Sequence, residues 1–140
     1  MSKAAVVYWS QTGNTEAMAN AVAAGAAAAG LEVQLIEAGD FSADQVQEYD
    51  SIAFGCPSMG VEVLEESVFQ PMWDAVKDNL AGKKAALFGS YGWGDGEWMR
   101  NWEEECKGCG IELVCESVMA NESPDDEALD KCRALGKALA

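Results

Sequence analysis

The chain contains no histidine, and it has no lysine or arginine between Lys3 and Lys77. Without histidine, His-dependent catalytic triads and His-ligated metal centres are excluded. The cysteine–arginine arrangement of the C-x-x-x-x-x-R phosphatases is missing too, because Glu62 stands six residues after Cys56 and no other cysteine has an arginine at that offset. The sequence therefore gives little support to proton-transfer or acyl-transfer catalysis, and it predicts no catalytic residue and no metal ligand.

Positive charge is scarce over the whole chain. Nine Lys and Arg residues stand against 24 Asp and Glu residues, which gives a formal net charge of −15. Nucleic acids bind to basic surfaces, so this balance disfavours them as partners. An acidic surface keeps a small protein soluble and monomeric, and it also attracts basic partner proteins. Charge alone does not choose between solubility and recognition.

Long apolar runs and signal-peptide features are absent as well. No apolar run approaches the roughly 18 residues needed to cross a bilayer, and the first residues lead directly into a strand pattern. The five cysteines are odd in number and irregularly spaced, which is typical of reduced thiols. We therefore expect a cytoplasmic protein. Cys106 and Cys109 form a C-x-x-C pair, but its place at a predicted helix end disfavours a redox dithiol or half a metal site.

Short apolar segments alternate with helical patterns along the chain. A length of 140 residues fits one domain, residues 1–140, and 49% apolar residues fit a packed core. The alternation predicts an α/β fold, a doubly wound parallel sheet of five strands with helices on both faces. The predicted strands cover 3–9, 31–38, 51–55, 83–90 and 111–119. The predicted helices cover 13–29, 65–80, 97–107 and 124–140.

Three loops of unusual composition leave the same edge of this predicted sheet. They follow the first, third and fourth strands and cover residues 10–15, 56–62 and 90–96. In a doubly wound sheet, ligands bind outside the carboxyl ends of the strands. The convergence of the three loops predicts a ligand site at that edge.

The first loop, Ser10-Gln11-Thr12-Gly13-Asn14-Thr15, lies between a strand and a helix. Its hydroxyls, amide groups and backbone N–H groups can surround a phosphate at the positive end of the helix dipole. The lysine of a nucleotide-binding P-loop and the G-x-G-x-x-G fingerprint are both missing. The loop therefore predicts one phosphate monoester held by uncharged groups. Ordinary helix capping is the alternative, although capping requires fewer polar residues.

Met59 and Trp93 each lie beside a glycine in the second and third loops. A thioether and an indole both make good contacts with flat aromatic rings, so the two side chains could hold a ring system between them. Covering the edge of the core is an equally good interpretation. Trp98 and Trp102 have the i, i+4 spacing of one helical face, and we expect one or both to pack in the core.

The three loops together resemble those of flavodoxins, and in particular the short-chain flavodoxins of anaerobic bacteria. The resemblance rests on Val7-Tyr8-Trp9-Ser10-Gln11-Thr12-Gly13-Asn14-Thr15-Glu16, on Gly55-Cys56-Pro57-Ser58-Met59-Gly60 and on Phe88-Gly89-Ser90-Tyr91-Gly92-Trp93-Gly94. It extends in order over essentially all 140 residues. It implies the strand order 2-1-3-4-5, one non-covalently bound FMN, and one-electron transfer between iron–sulfur or flavin partners. Together with the acidic charge, it leads us to expect a low-potential carrier between basic-surfaced redox proteins such as reductases and iron–sulfur proteins.

The resemblance also implies roles for individual residues. Ser10 to Thr15 would bind the phosphate, Met59 and Trp93 would flank the ring, and Glu62 would accept a hydrogen bond from flavin N3. Gly60 would be the hinge whose carbonyl turns towards flavin N5 on reduction. The full implied set is Ser10, Gln11, Thr12, Gly13, Asn14, Thr15, Pro57, Ser58, Met59, Gly60, Glu62, Ser90, Tyr91, Gly92, Trp93 and Gly94.

Acidic residues lie in or near the second and third loops, which we call the ring loops. Reduction of FMN bound between these loops would add negative charge beside them. The acidic residues are Glu62, Glu65, Glu66, Asp95 and Glu97. At ~8 Å and an effective dielectric constant near 40, each charge opposes the added one by about 1 kcal/mol. We therefore expect a strongly negative second reduction potential that rises with salt.

An electron carrier without a substrate of its own is the function that these features favour. The first alternative is an FMN-dependent NAD(P)H oxidoreductase of the same fold, although 140 residues leave little room for nicotinamide-binding loops. The second is a flavodoxin-like module that senses or recruits without redox turnover. The sequence does not name the electron donor or acceptor.

Overall fold

The computed structural model describes residues 2–11, 13–59, 63–92 and 94–140. Within these ranges the strands are β1 (Lys3–Tyr8), β2 (Glu32–Glu37), β3 (Ser51–Gly55), β4 (Lys84–Tyr91), β5 (Glu112–Leu113) and β6 (Val118–Asn121). The α-helices are α1 (Asn14–Ala28), α2 (Phe69–Val76), α3 (Glu97–Gly108) and α4 (Asp126–Ala138).

The strands form one parallel sheet in the order β2-β1-β3-β4-β5, which confirms the predicted topology. The predicted fifth strand, 111–119, is wrong as one continuous segment. β5 pairs with the start of β4, whereas β6 pairs with its end through Phe88–Val118 and the following residues. In the interruption, the Ser117 hydroxyl donates a 2.7 Å hydrogen bond to Glu103 of α3. This edge segment thus leaves the ladder to contact a helix, and strand pairing then continues to Asn121.

Alternate residues of the central strands pack into two separate cores. In β1, Ala5 and Val7 belong to the core that contains α2 and α3, while Ala4 and Val6 belong to the core that contains α1 and α4. Because successive side chains of a strand point to opposite faces, the two pairs of helices cover opposite faces of the sheet.

The second helix begins later than the predicted residue 65, and the structure gives the reason. The Glu65 carboxylate accepts backbone N–H groups from Ser67 (2.9 Å), Val68 (2.7 Å) and Phe69 (2.9 Å), so it caps α2 from outside the helix. Pro71 lies in the first turn of α2, where a backbone N–H has no acceptor within the helix. The lack of an N–H on proline therefore costs no helical hydrogen bond there. Lys77–Asn79 then continue as a 3₁₀ turn.

None of the helices in the described ranges combines the length and the apolar character that a bilayer span requires.

Candidate functional site

A pocket of about 340 Å³ opens at the carboxyl ends of β1, β3 and β4. A volume of this size falls within the range of small-molecule and cofactor sites. The described residues that line it come from the three loops and from the end of β6: Ser10, Gln11, Asn14, Thr15, Pro57, Ser58, Met59, Ser90, Tyr91, Gly92 and Glu122.

Some residues of the implied set do not line this pocket. Gly13 and Gly94 are exposed and lie outside its lining. Gly13 instead forms the left-handed N-cap of α1, with φ 93°. Thr12, Gly60, Glu62 and Trp93 lie outside the described residues, so the interpretations that concern them stay predictions.

The first turn of α1 presents backbone donors to the pocket. The Ser10 hydroxyl oxygen accepts the N–H groups of Gly13 and Glu16, both at 3.2 Å, and Ala17 donates to the Gly13 carbonyl at 3.0 Å. Among the described residues, nothing accepts from the N–H groups of Asn14 and Thr15. Gly13 is thus the N-cap residue, and the Ser10 hydroxyl accepts the Glu16 N–H from outside the helix. Two N–H groups at the positive end of the dipole remain for a ligand.

Hydrogen bonds join the three loops to one another without any ligand. The hydroxyls of Thr15 and Ser90 are buried and lie 2.9 Å apart, which links the first loop to the third. Ser58 donates its N–H to the Ser90 carbonyl at 2.9 Å, which links the second loop to the third. The pocket is therefore preorganised by the chain itself.

The second loop rests on the aromatic core. The Trp98 indole donates a 3.2 Å hydrogen bond to the Cys56 carbonyl, and Trp98 and Trp102 are both 2% exposed. This confirms the prediction that they are packing residues. Met59 is half-buried and lines the pocket, and its backbone forms a two-hydrogen-bond bridge with Val63 at 2.8 and 3.0 Å.

The described lining of the pocket carries almost no charge. Of the described lining residues, none is a lysine or arginine and only Glu122 is ionisable at neutral pH. An anion bound there would be held by hydroxyls, the two side-chain amides of Gln11 and Asn14, N–H groups and the helix dipole.

The buried cysteines are not reactive groups. Burial raises the pKa of the Cys56 thiol far above its ordinary value, and burial followed by the nearby Glu105 charge raises the pKa of Cys106 to about 12. Both thiols stay protonated at neutral pH, whereas nucleophiles and metal ligands are thiolates. In the part of the chain that the structure describes, no group of three His, Cys, Asp or Glu residues could hold a metal ion.

Comparison with known proteins connects this geometry to a family. The chain matches the sequence profile described as Flavodoxin over residues 6–136. It is 45% identical over 135 residues to the flavodoxin of Clostridium beijerinckii, with 96% of this chain and 97% of that protein covered. It is equally 45% identical over 135 residues to the flavodoxin of Megasphaera elsdenii, with 96% of each covered. The chain belongs to the flavodoxin family.

A solved structure supports the same assignment. The solution structure of two-electron reduced Megasphaera elsdenii flavodoxin matches with a TM-score of 0.90 at 44% identity, and the match covers 97% of each chain. Members of the family carry electrons on bound FMN, so the protein is an FMN-binding electron carrier and not an enzyme with its own substrate. The predicted cofactor and function are thereby confirmed, and the NAD(P)H oxidoreductase alternative is not favoured.

The described pocket fits FMN in its chemistry. The hydroxyls, the two side-chain amides and the two available N–H groups suit a phosphate monoester, and none of the described lining residues supplies the cations that a polyphosphate requires. The half-buried side chains of Met59 and Tyr91 offer apolar surface to a flat ring. When bound, FMN supplies the redox chemistry, and the chain supplies binding and orientation.

Glu122 is a lining residue that the sequence analysis missed. It follows β6, and its N–H donates to the Tyr91 carbonyl at 2.7 Å, which brings it beside the third loop. One signal could have found it. The turn Asn121-Glu122-Ser123-Pro124 ends a strand of the parallel sheet, so it lies at the same edge as the other three loops.

Proposed function

We propose that the implied residue set binds FMN in this pocket, with the phosphate at the N-terminus of α1 and the ring between the second and third loops. The observation that carries the proposal is the pair of available N–H groups, on Asn14 and Thr15, beside a buried Thr15–Ser90 hydroxyl pair. Thr12, Gly60, Glu62 and Trp93 are included on the family resemblance. In this arrangement a dianion is held without any cation from the described lining.

Replacing Asn14 by alanine tests the phosphate assignment. Asn14→Ala is expected to weaken FMN binding about tenfold, the lower range for a hydrogen bond to a charged group, because its amide would no longer meet a phosphate oxygen. Riboflavin has the same ring and ribityl chain but no phosphate, so its affinity should not change. Both affinities are measured by titrating the flavin-free chain and following flavin fluorescence.

Asn20→Ala is the matched control, since Asn20 is an exposed residue of the same helix that does not line the pocket. Asn20→Ala should leave both affinities unchanged. If Asn14→Ala lowered the affinities for FMN and riboflavin equally, the phosphate would have to bind elsewhere.

We also propose that residues 1–140 act as one domain and as a cytoplasmic monomer, and that the redox partners are basic-surfaced reductases and iron–sulfur proteins. The net charge of −15 and the absence of Lys and Arg between Lys3 and Lys77 support the monomer and the basic-surfaced partners. The single sheet supports one domain, and the free cysteines suit a reducing compartment. Electrostatic attraction accelerates encounters and is screened by salt. Electron transfer to a basic acceptor should therefore slow as ionic strength rises, and transfer to an acidic acceptor should not. A salt-independent rate with the basic acceptor would contradict the partner assignment.

The acidic ring loops lead to a further expectation about the cofactor. Glu65 and Glu66 follow the second loop, and Asp95 and Glu97 lie in or next to the third. Their charges oppose an added electron and are screened by salt. The second reduction potential should therefore be strongly negative and should rise between low and high ionic strength in a spectroelectrochemical titration. A potential that does not change with salt would remove the electrostatic explanation.

A further inference from the structure

Glu122 has a backbone conformation that glutamate rarely adopts. Its φ is 58°, and no other non-glycine residue in the described ranges has a positive φ. A side chain with a Cβ atom is disfavoured in this left-handed region, whereas glycine adopts it freely. Outliers of this kind tend to cluster at functional sites.

Contacts with the described residues do not explain why a glutamate is found there. The 2.7 Å hydrogen bond from Glu122 N–H to the Tyr91 carbonyl uses the backbone, so glycine would make it equally well. The exposed Glu122 side chain has no hydrogen bond or ion pair with any described residue. No side-chain contact with a described residue therefore offsets the unfavourable conformation.

The position of Glu122 points to a ligand instead. Glu122 is the one charged residue in the described lining of the pocket, among Ser, Thr, Asn and Gln side chains that can donate hydrogen bonds. An ionised carboxylate can only accept them. FMN presents hydroxyl donors on the chain that joins its phosphate to its ring, and phosphate oxygens do not offer such donors.

We propose that Glu122 is a further cofactor-binding residue, whose carboxylate accepts hydrogen bonds from the hydroxyl-bearing chain of the flavin. The left-handed turn places Glu122 in the lining of the pocket, and its backbone N–H joins it to the third loop through Tyr91. The inference rests on the proposed location of FMN in this pocket.

Two substitutions and two flavins test the role. Glu122→Gln keeps the shape of the side chain but removes the charge, and it should weaken both FMN and riboflavin binding about tenfold, at the low end for a hydrogen bond to a charged group. Glu122→Gly should weaken both flavins at least as much. It should also raise the urea midpoint of the flavin-free chain, because glycine is not strained at this φ. Glu48→Gln, at an exposed position outside the lining, is the control and should change neither property.

The outcomes separate this inference from the proposed function. Unchanged affinity of Glu122→Gln for both flavins, together with tight FMN binding by the unsubstituted chain, would overturn only the role of Glu122. Tighter FMN binding with unchanged riboflavin binding would also overturn it, since the carboxylate would then merely repel the phosphate. Failure of the unsubstituted chain to bind FMN would overturn both proposals.

Discussion

The two helical layers pack against the same sheet in opposite ways. On one face, α1 and α4 meet backbone to backbone: a Cβ atom on Gly25 would lie 1.9 Å from the Arg133 carbonyl oxygen, and one on Gly136 would lie 2.0 Å from the Val22 carbonyl oxygen. On the other face, α2 and α3 meet through large rings. Trp73 packs against Trp102 with ring centres 5.7 Å apart and planes at 88°.

The difference shows that two separate effects restrict which substitutions a protein interior tolerates. The α1–α4 contact leaves no space, so repulsion between backbone atoms limits what can be added there. The α2–α3 contact depends on buried ring surface, so lost burial and lost dispersion limit what can be removed. Each layer also supports one end of the pocket. α1 brings its N-terminus to the first loop, and α3 holds the second loop through Trp98.

The largest effect is expected from emptying the aromatic layer. Trp73→Ala should lower the free energy of unfolding by about 4 kcal/mol, because it leaves a large cavity between Phe54 and Trp102. The measurement is urea unfolding of the flavin-free chain followed by far-UV circular dichroism.

Trp73→Phe is the matched control for ring bulk. It keeps most of the apolar volume but removes the 2.7 Å hydrogen bond from the indole to Glu105, so its loss should be clearly smaller. Equal losses in the two variants would show that the hydrogen bond, and not ring burial, stabilises this layer.

A smaller loss is expected from adding one methyl group to the other layer. Gly136→Ala should lower the free energy of unfolding by about 3 kcal/mol, the upper range for overpacking, because backbone atoms of α1 must move. Gly108→Ala is the control, since a Cβ atom there has nothing within 4 Å. It should leave stability unchanged or raise it by up to about 1 kcal/mol through helix propensity. Wild-type stability in Gly136→Ala would mean that the two helices can separate freely.

The smallest of these effects concerns the cap of α2 and depends on pH. Burial acts to raise the pKa of Glu65, but hydrogen bonds from the Ser67 side chain and from the N–H groups of Phe69, Ser67 and Val68 lower it overall. A lowered pKa in the folded state stabilises the protein above the ordinary glutamate value, and this contribution disappears as the pH falls through the folded pKa. Glu65→Gln should therefore lower the free energy of unfolding by about 1 kcal/mol at pH 7.

The difference between Glu65→Gln and the unsubstituted chain should shrink below about pH 4. Glu66→Gln, at the exposed neighbouring position, is the control and should show no comparable loss at pH 7. A difference that does not depend on pH would show that the charge of Glu65 is not what caps α2.

Local patterns predicted the elements more reliably than their ends. Apolar runs identified β1, β3 and β4, and the i, i+4 spacing of Trp98 and Trp102 identified a buried helical face. The start of α2 was not predictable in the same way, because the Glu65 carboxylate occupies the N–H groups of residues 67–69. The break between β5 and β6 accompanies a hydrogen bond between Ser117 and Glu103, which are 14 positions apart. Ser117 lies outside the helix of Glu103, so no helical or strand repeat within one element relates the two, and the sequence pattern did not predict the break.

Some features of the candidate site could be predicted from the sequence, and others could not. The polar first loop and the glycine-rich third loop are visible as composition, so the edge of the sheet and the type of ligand could be predicted. The hydrogen bond between Thr15 and Ser90 joins residues that are 75 positions apart, and no local pattern indicates it. Glu122 was missed because an acidic residue in a turn looks like ordinary solvated surface until φ and pocket lining are known.

By itself, the amino-acid sequence determined the alternation of strands and helices, the negative net charge and the uncharged character of the phosphate loop, because each of these depends only on residue type and spacing. The tertiary structure alone decided which loops are hydrogen-bonded to one another, where Gly25 and Gly136 let two helices touch, and that Glu122 lies in the lining of the pocket. Those features arise from contacts between segments distant in the chain, and such contacts exist only after the sheet has brought the segments together.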